Sequence, residues 1–187
     1  MVTTQSEHGA AARLAIIVMG VSGSGKSSIG EGLAEALGID FVDGDGLHSP
    51  ANVAKMASGT PLVDDDRWPW LDKIGATLGD RAAHPAGIVV ACSALKKIYR
   101  DRIRAAAGQP IRFVFLDAPQ SLVKDRLGAR KGHFMPPSLL DSQYATLERP
   151  GADEPDVLAV AVDVSIAEIV RRAAAELAGG AAVKPLN

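Results

Sequence analysis

Gly20-Val21-Ser22-Gly23-Ser24-Gly25-Lys26-Ser27, or GVSGSGKS, fits the phosphate-loop pattern of a glycine, four residues, a second glycine, a lysine and a serine or threonine. Its flanks have the order the pattern needs. The apolar run Leu14 to Met19 precedes it as a strand, and Ile29, Leu33 and Leu37 follow at helical spacing until Gly38 stops the helix. Glycines let the backbone curl until its N–H groups face phosphate oxygens, and the emerging helix adds the positive end of its dipole. Gly20, Val21, Ser22, Gly23, Ser24, Gly25, Lys26, Ser27 and the following Ser28 are therefore candidate contacts for a nucleoside triphosphate. Lys26 would reach the terminal phosphates, and the Ser27 hydroxyl would ligate Mg²⁺.

The bulk properties narrow the second substrate. A chain of 187 residues is long enough for one good core and too short for two ordinary domains. Its formal net charge of −2 argues against a nucleic-acid or anionic-membrane partner, so a small-molecule acceptor is expected. Cys92 is the single cysteine and lies in the apolar run GIVVAC, which points to core packing in a reducing compartment. No apolar stretch reaches membrane-spanning length, and residues 1–12 lack the order of a signal peptide. That start reads as a loose, partly disordered segment of a cytoplasmic protein, and residues 179–187 as a loose tail.

Between those ends, short apolar runs alternate with helical patterns, which predicts an α/β domain over 13–178 with a five-stranded, mostly parallel sheet. The expected strands are Leu14 to Met19, Asp40 to Val42, Ile88 to Cys92, Phe113 to Asp117 and Val157 to Val162. Leu95, Ile98, Arg102, Ile103 and Ala106 trace one expected helix face; Leu122, Val123 and Leu127 trace another, and Ile166, Ile169, Val170, Ala173 and Leu177 a third. Two stretches fit neither strand nor core helix: a polar excursion over 49–70 and a basic segment over 126–137. Ligands of open α/β sheets bind beyond the carboxyl ends of the strands, so these insertions read as an acceptor clamp and a lid.

Polar residues gather at the same strand ends. Asp43-Gly44-Asp45 follows the second strand: one carboxylate could orient Mg²⁺ and its waters and the other accept a hydroxyl proton, or the segment could be an Asx-type turn. His48 lies just beyond. In Asp64-Asp65-Asp66-Arg67-Trp68-Pro69-Trp70, one aspartate reads as a helix cap, the tryptophans as packing, and Arg67 as a fork for a carboxylate. Ser93 and Lys96 follow the third strand where an acceptor would sit, whereas Lys97 reads as helix surface. Arg126, Arg130, Lys131 and His133 carry the charge a phosphate lid needs. His8 and His84 carry no signal, and the histidine spacing suggests no protein-held metal.

Taken together, MGVSGSGKSS, DGDGLH, KMASGTPLVDDDRWPWL, CSALKKIYRD, ARKGHFMP and PGADEPD resemble the gluconokinases of the short phosphate-loop type, relatives in fold of shikimate and nucleoside monophosphate kinases. The resemblance runs from about Leu14 to Leu177. It implies a P-loop three-layer sandwich that uses ATP and Mg²⁺ to phosphorylate D-gluconate at its 6-hydroxyl, in a cytoplasmic homodimer. It assigns Lys26, Asp45 and Arg130 to catalysis and Ser27 and Asp43 to Mg²⁺. Arg126 and Arg130 join the loop on ATP, while Asp45, His48, Arg67, Ser93, Lys96 and His133 face gluconate. Gly151 to Asp156 falls to adenine. Trp68 and Met135-Pro136 stand at positions that vary in that family. Two rival readings remain: another small-molecule kinase such as shikimate kinase, whose acceptor also bears a carboxylate, and a nucleotide-binding switch, which would need no second pocket.

Overall fold

The computed structural model describes residues 13–129 and 137–179. Strands β1 (Leu14–Met19), β2 (Asp40–Asp43), β3 (Gly87–Ala91), β4 (Arg112–Asp117) and β5 (Val157–Ala161) form one all-parallel sheet in the order β2-β3-β1-β4-β5. The expected strands are all present, with ends differing by a residue. Both faces of a parallel sheet must be covered, and β1 shows how: Ala15, Ile17 and Met19 join one apolar cluster, Ile16 and Val18 the other. Helices α1 (Lys26–Leu37) and α7 (Ile166–Ala178) cover the second face; α3 (Asp64–Gly79) and α4 (Lys97–Ala107) cover the first. Helices α2 (Pro50–Ala57), α5 (Gln120–Ala129) and α6 (Pro137–Thr146) lie in the connections. Left-handed Gly38 ends α1 as the sequence predicts, at φ 66°, and Gly108 ends α4 in the same way at φ 60°.

The acceptor-binding insertion over 49–70 is mostly helical, as the resemblance to this kinase fold implies. Two expectations need correction. The excursion does not stay outside the core, because from Trp70 onward α3 enters it through Leu71, Ile74 and Leu78. Its stripe was hidden because three aspartates and Arg67 occupy the first turn, where they favour the helix start rather than mark a loop. The buried face of α4 is Tyr99, Arg100, Ile103 and Ala107, whereas Ile98 and Arg102 point to solvent and Leu95 precedes the helix. A charged residue at a core position defeated the apolar pattern. Arg100 is wholly buried because Glu154 takes its fork at 2.6 and 2.8 Å. On α7, Ile166 is likewise exposed. Cys92 packs in the core as expected, where burial pushes its thiol up to about 12.

Candidate active site

The loop leaves β1 at the centre of the carboxyl edge. Gly23 and Gly25 take φ of 80° and 100°, and a Cβ at Gly23 would lie 3.0 Å from Val123 and 3.1 Å from Leu127 of α5. Gly25 caps α1 without a side chain, leaving the first-turn N–H groups to face an anion. A hollow of about 170 Å³ there is lined by Gly23, Gly25, Lys26, Ser27 and Ser28. Lys26 folds its ammonium back onto the Val21 carbonyl at 3.1 Å; burial lowers its pKa, against the pull of Asp45 and Asp43. Val21 is core, and the buried Ser24 hydroxyl has no partner among the described residues. A larger hollow along β5 and α7 contains Arg171 and Arg172, but both are paired with Glu168.

Asp43 forms the Asx-type turn and also reaches the phosphate loop. One carboxylate oxygen accepts from the Asp45 N–H at 3.1 Å and caps a 3-10 turn over Gly44–Leu47, while the other accepts from the Ser27 hydroxyl at 2.9 Å. The turn is pressed onto the sheet: a Cβ at Gly44 would come within 2.4 Å of the Ala91 carbonyl, and the Trp70 indole donates to the Gly44 carbonyl at 2.8 Å. Exposed Asp45 lies on that turn, near enough for its charge to act on Lys26. His48 stacks on Trp70 with ring centroids 4.1 Å apart, and burial lowers its pKa against the opposing field of Asp45. Trp70 is thus packing, as the sequence suggested, and Trp68 lies edge-on to Tyr99.

The expected clamp residues converge but are already engaged. Lys96 donates to both oxygens of Asp64 at 3.0 Å, and the Tyr99 hydroxyl joins them at 2.5 Å. The Tyr99 and Lys96 hydrogen bonds hold Asp64 below the ordinary carboxyl range, and Asp64 in turn raises Lys96. Arg67 donates to the Leu62 carbonyl at 2.5 Å and lies 5.8 Å from the Tyr99 ring centre. Asp66, taking the Val63 N–H at 2.8 Å and Lys55, is the aspartate that serves as the cap. Ser93 offers its carbonyl to the Gly20 N–H at 3.3 Å, tying β3 to the loop.

Arg126 donates to the Val162 carbonyl, just past the carboxyl end of β5, at 2.6 Å. Gly151 to Asp156 leads into β5, and Asp156 reaches the amino end of the sheet, where its carbonyl takes the Phe113 N–H. The acids of that segment serve α4: Glu154 binds Arg100 and Arg104, and Asp156 binds Arg104. Burial would raise Glu154, but the two guanidiniums outweigh it and hold it below the ordinary range. The expected catalytic Arg130, with Lys131 and His133, lies outside the described residues. Sequence reasoning missed Asp64 and Tyr99 as partners of Lys96, although Tyr99 follows Lys96 by three residues. It also missed Gln143, whose oxygen takes the Ser22 N–H across 121 residues, a distance at which local pattern carries nothing.

A family profile described as an AAA domain matches residues 16–150. The gluconokinase of Gluconobacter oxydans (strain 621H) is 48% identical over 165 residues, covering 86% of this chain and 92% of that protein. A gluconokinase structure from Sinorhizobium meliloti 1021 superposes with a TM-score of 0.80 at 52% identity, covering 89% of this chain and 92% of that one. The chain belongs to the gluconokinase family. An Acinetobacter baumannii shikimate kinase, solved with shikimate, shares the fold at a TM-score of 0.54 but only 16% identity, covering 90% of this chain and 95% of that one. The rival acceptor is therefore not favoured. Among the described residues, no helix is long and apolar enough to cross a membrane.

Proposed function

We propose that this chain transfers the γ-phosphoryl group of ATP to the 6-hydroxyl of D-gluconate, giving 6-phosphogluconate and ADP. The observation that carries the reading, beside family membership, is the meeting of three groups at one sheet edge: the Lys26 loop, Asp45 opposite it, and the Lys96–Asp64–Tyr99 cluster with Arg67 beyond. Phosphoryl transfer asks the protein mainly for positioning and charge. The loop N–H groups and Lys26 hold the β- and γ-phosphates. Asp45 orients the attacking hydroxyl and accepts its proton, while Arg67 and Lys96 bind the gluconate carboxylate and hydroxyls beside His48 and Ser93. Binding the carboxylate means exchanging partners, since Lys96 rests on Asp64.

The Ser27 hydroxyl and Asp43 carboxylate, converging within 2.9 Å, are hard oxygen donors suited to Mg²⁺ and its waters. When bound, the ion supplies neutralisation of charge on the phosphate oxygens. Arg126 and Arg130, with Lys131 and His133, are assigned to closing the site, in a cytoplasmic homodimer. The test is a panel of D-gluconate, D-glucose and shikimate with ATP and Mg²⁺, read as acceptor-dependent ADP release. Gluconate should exceed glucose by roughly 10⁴-fold in kcat/KM, because glucose leaves cations without a carboxylate. Comparable turnover of either rival, or ADP release without an acceptor, overturns the reading.

A further inference from the structure

Among the described loop residues, Ser22 alone is hydrogen-bonded from a distant helix. The Gln143 side-chain oxygen accepts from the Ser22 N–H at 2.7 Å, and its nitrogen donates to the Ser22 hydroxyl at 2.9 Å. One amide thereby fixes both the peptide plane and the side chain of one residue. No other hydrogen-bond partner of either Ser22 group is present among the described residues. The N–H is thus taken up by Gln143 in this structure.

We propose that Gln143 is a positioning residue for the terminal phosphates of ATP, setting the crest of the loop through Ser22. The inference rests on the ATP-kinase reading above. A glycine-rich loop is soft, and every peptide plane that must be ordered by the ligand weakens binding. Two helices brace this crest. From α5, Val123 and Leu127 press on Gly23, closing the space where a side chain would go. From α6, Gln143 holds Ser22. Helix α6 is a firm support: Leu140 is buried, the Tyr144 hydroxyl donates to the Ala118 carbonyl at 2.8 Å beyond β4, and the Glu148 N–H just past the helix donates to the Leu95 carbonyl at 2.9 Å. The Glu148 carboxylate also takes the Lys97 N–H at 2.6 Å, so the same segment steadies the acceptor turn. Gln143 is the only described group through which α6 hydrogen-bonds the loop. Its chemistry fits that task, since a glutamine presents an acceptor and a donor side by side.

The experiment measures KM for ATP, KM for gluconate, kcat and Tm for Gln143→Met, Ser22→Ala and the double variant. Methionine keeps the length and loses both hydrogen bonds. Gln143→Met should raise KM for ATP about tenfold and lower kcat several-fold, as loss of two neutral hydrogen bonds implies. KM for gluconate should move less than about twofold and Tm by only a few degrees. Ser22→Ala, losing one bond, should have a smaller effect, and the double variant should be no worse than Gln143→Met alone. Unchanged kinetics in ATP, an equal rise in both KM values, or independent effects that multiply in the double variant each overturn the proposal. If Gln143→Met does not fold, Gln143→Glu replaces it, retaining an acceptor for the N–H. A selective rise in its KM for ATP supports the proposal and an unselective one overturns it. A wild-type enzyme that releases no gluconate-dependent ADP would instead sink the ATP–gluconate reading itself.

Discussion

The phosphate half and the acceptor half of this site are organised by opposite means. In the first, backbone does the work: glycines at positive φ, an uncapped helix start and one lysine folded against Val21 leave donors ready for an anion. In the second, nearly every charge is already answered by another side chain or carbonyl: Lys96 by Asp64, Arg67 by Leu62, Lys55 by Asp66. A preformed anion hole serves any triphosphate. A pocket of engaged charges admits only a ligand able to replace the partners it displaces, which is how polar sites reject near-analogues. Affinity for phosphate and choice of acceptor thus reside in different kinds of structure.

The sharpest way to break the contrast is Lys26→Ala. The ammonium is held by burial below its ordinary pKa with, among the described residues, only the Val21 carbonyl as a hydrogen-bond partner, so its removal opens no core. Turnover should fall by about 10³-fold or more, with Tm close to wild type, because transfer rests on positioning and charge. Near-normal turnover would refute the phosphate-half assignment. Next in size is Asp45→Asn, expected to lower kcat by about 10²- to 10⁴-fold with ATP binding retained. Asp43→Asn should instead weaken the response to Mg²⁺ and recover partly at higher Mg²⁺, since Asp43 faces the Ser27 hydroxyl. Exchange of the two phenotypes, seen in kcat against Mg²⁺ titrations, would reverse the division of roles.

The same contrast explains what the sequence made legible. The phosphate half is local: strand, loop and helix are contiguous, glycine spacing states the backbone conformation, and Asp43 follows the next strand. The acceptor half is assembled from pairs far apart in the chain, such as Lys96 with Asp64, whereas Gln143 with Ser22 is the long-range tie of the otherwise local phosphate half. Residue type showed that Arg67 and Lys96 carry charge, but nothing local showed which acid meets them. PGADEPD misled for a related reason. Its placement before β5 becomes clear once the sheet order is known, and Glu154 is then seen to serve Arg100. That buried arginine also disguised the inner face of α4.

Glu154 links the two halves to stability. Arg100 donates to Glu154 and also to the Ala94 and Leu95 carbonyls at 3.1 and 3.2 Å, holding a turn in which Ala94 has a φ of 43°. Glu154→Ala strands a buried guanidinium and should cost about 3–5 kcal/mol, lowering Tm by about 10 °C. At low temperature the folded fraction should show a higher KM for gluconate and an unchanged KM for ATP, because the loosened turn carries Ser93 and Lys96. Calorimetry and steady-state kinetics read both effects, and a matching rise in KM for ATP would erase the separation of halves.

The smallest expected effect tests whether an engaged charge guides the acceptor or merely decorates the surface. Asp64 and Lys96 are partly exposed, at 42% and 30% of their side chains, so the pair stabilises the fold by roughly 1 kcal/mol at most. Asp64→Asn should therefore shift Tm by no more than about 3 °C. It should still raise KM for gluconate about fivefold, because Lys96 loses the partner that aims it and Tyr99 loses a charged acceptor. The pH dependence separates this pair from its neighbour. Asp64 lies below its ordinary 3.8 and Lys96 above its ordinary 10.5, so the stabilisation is complete between those values. It fades only as pH falls through the depressed carboxyl value or rises through the elevated ammonium value. His48, lowered by burial from 6.5, must instead be charged against its surroundings as pH drops below that point. A mildly acidic change in KM for gluconate should thus persist in Asp64→Asn and vanish in His48→Asn. If Asp64→Asn abolishes the change, the pair and not the histidine senses the acceptor's surroundings, and the acceptor half is wired differently from the account given above.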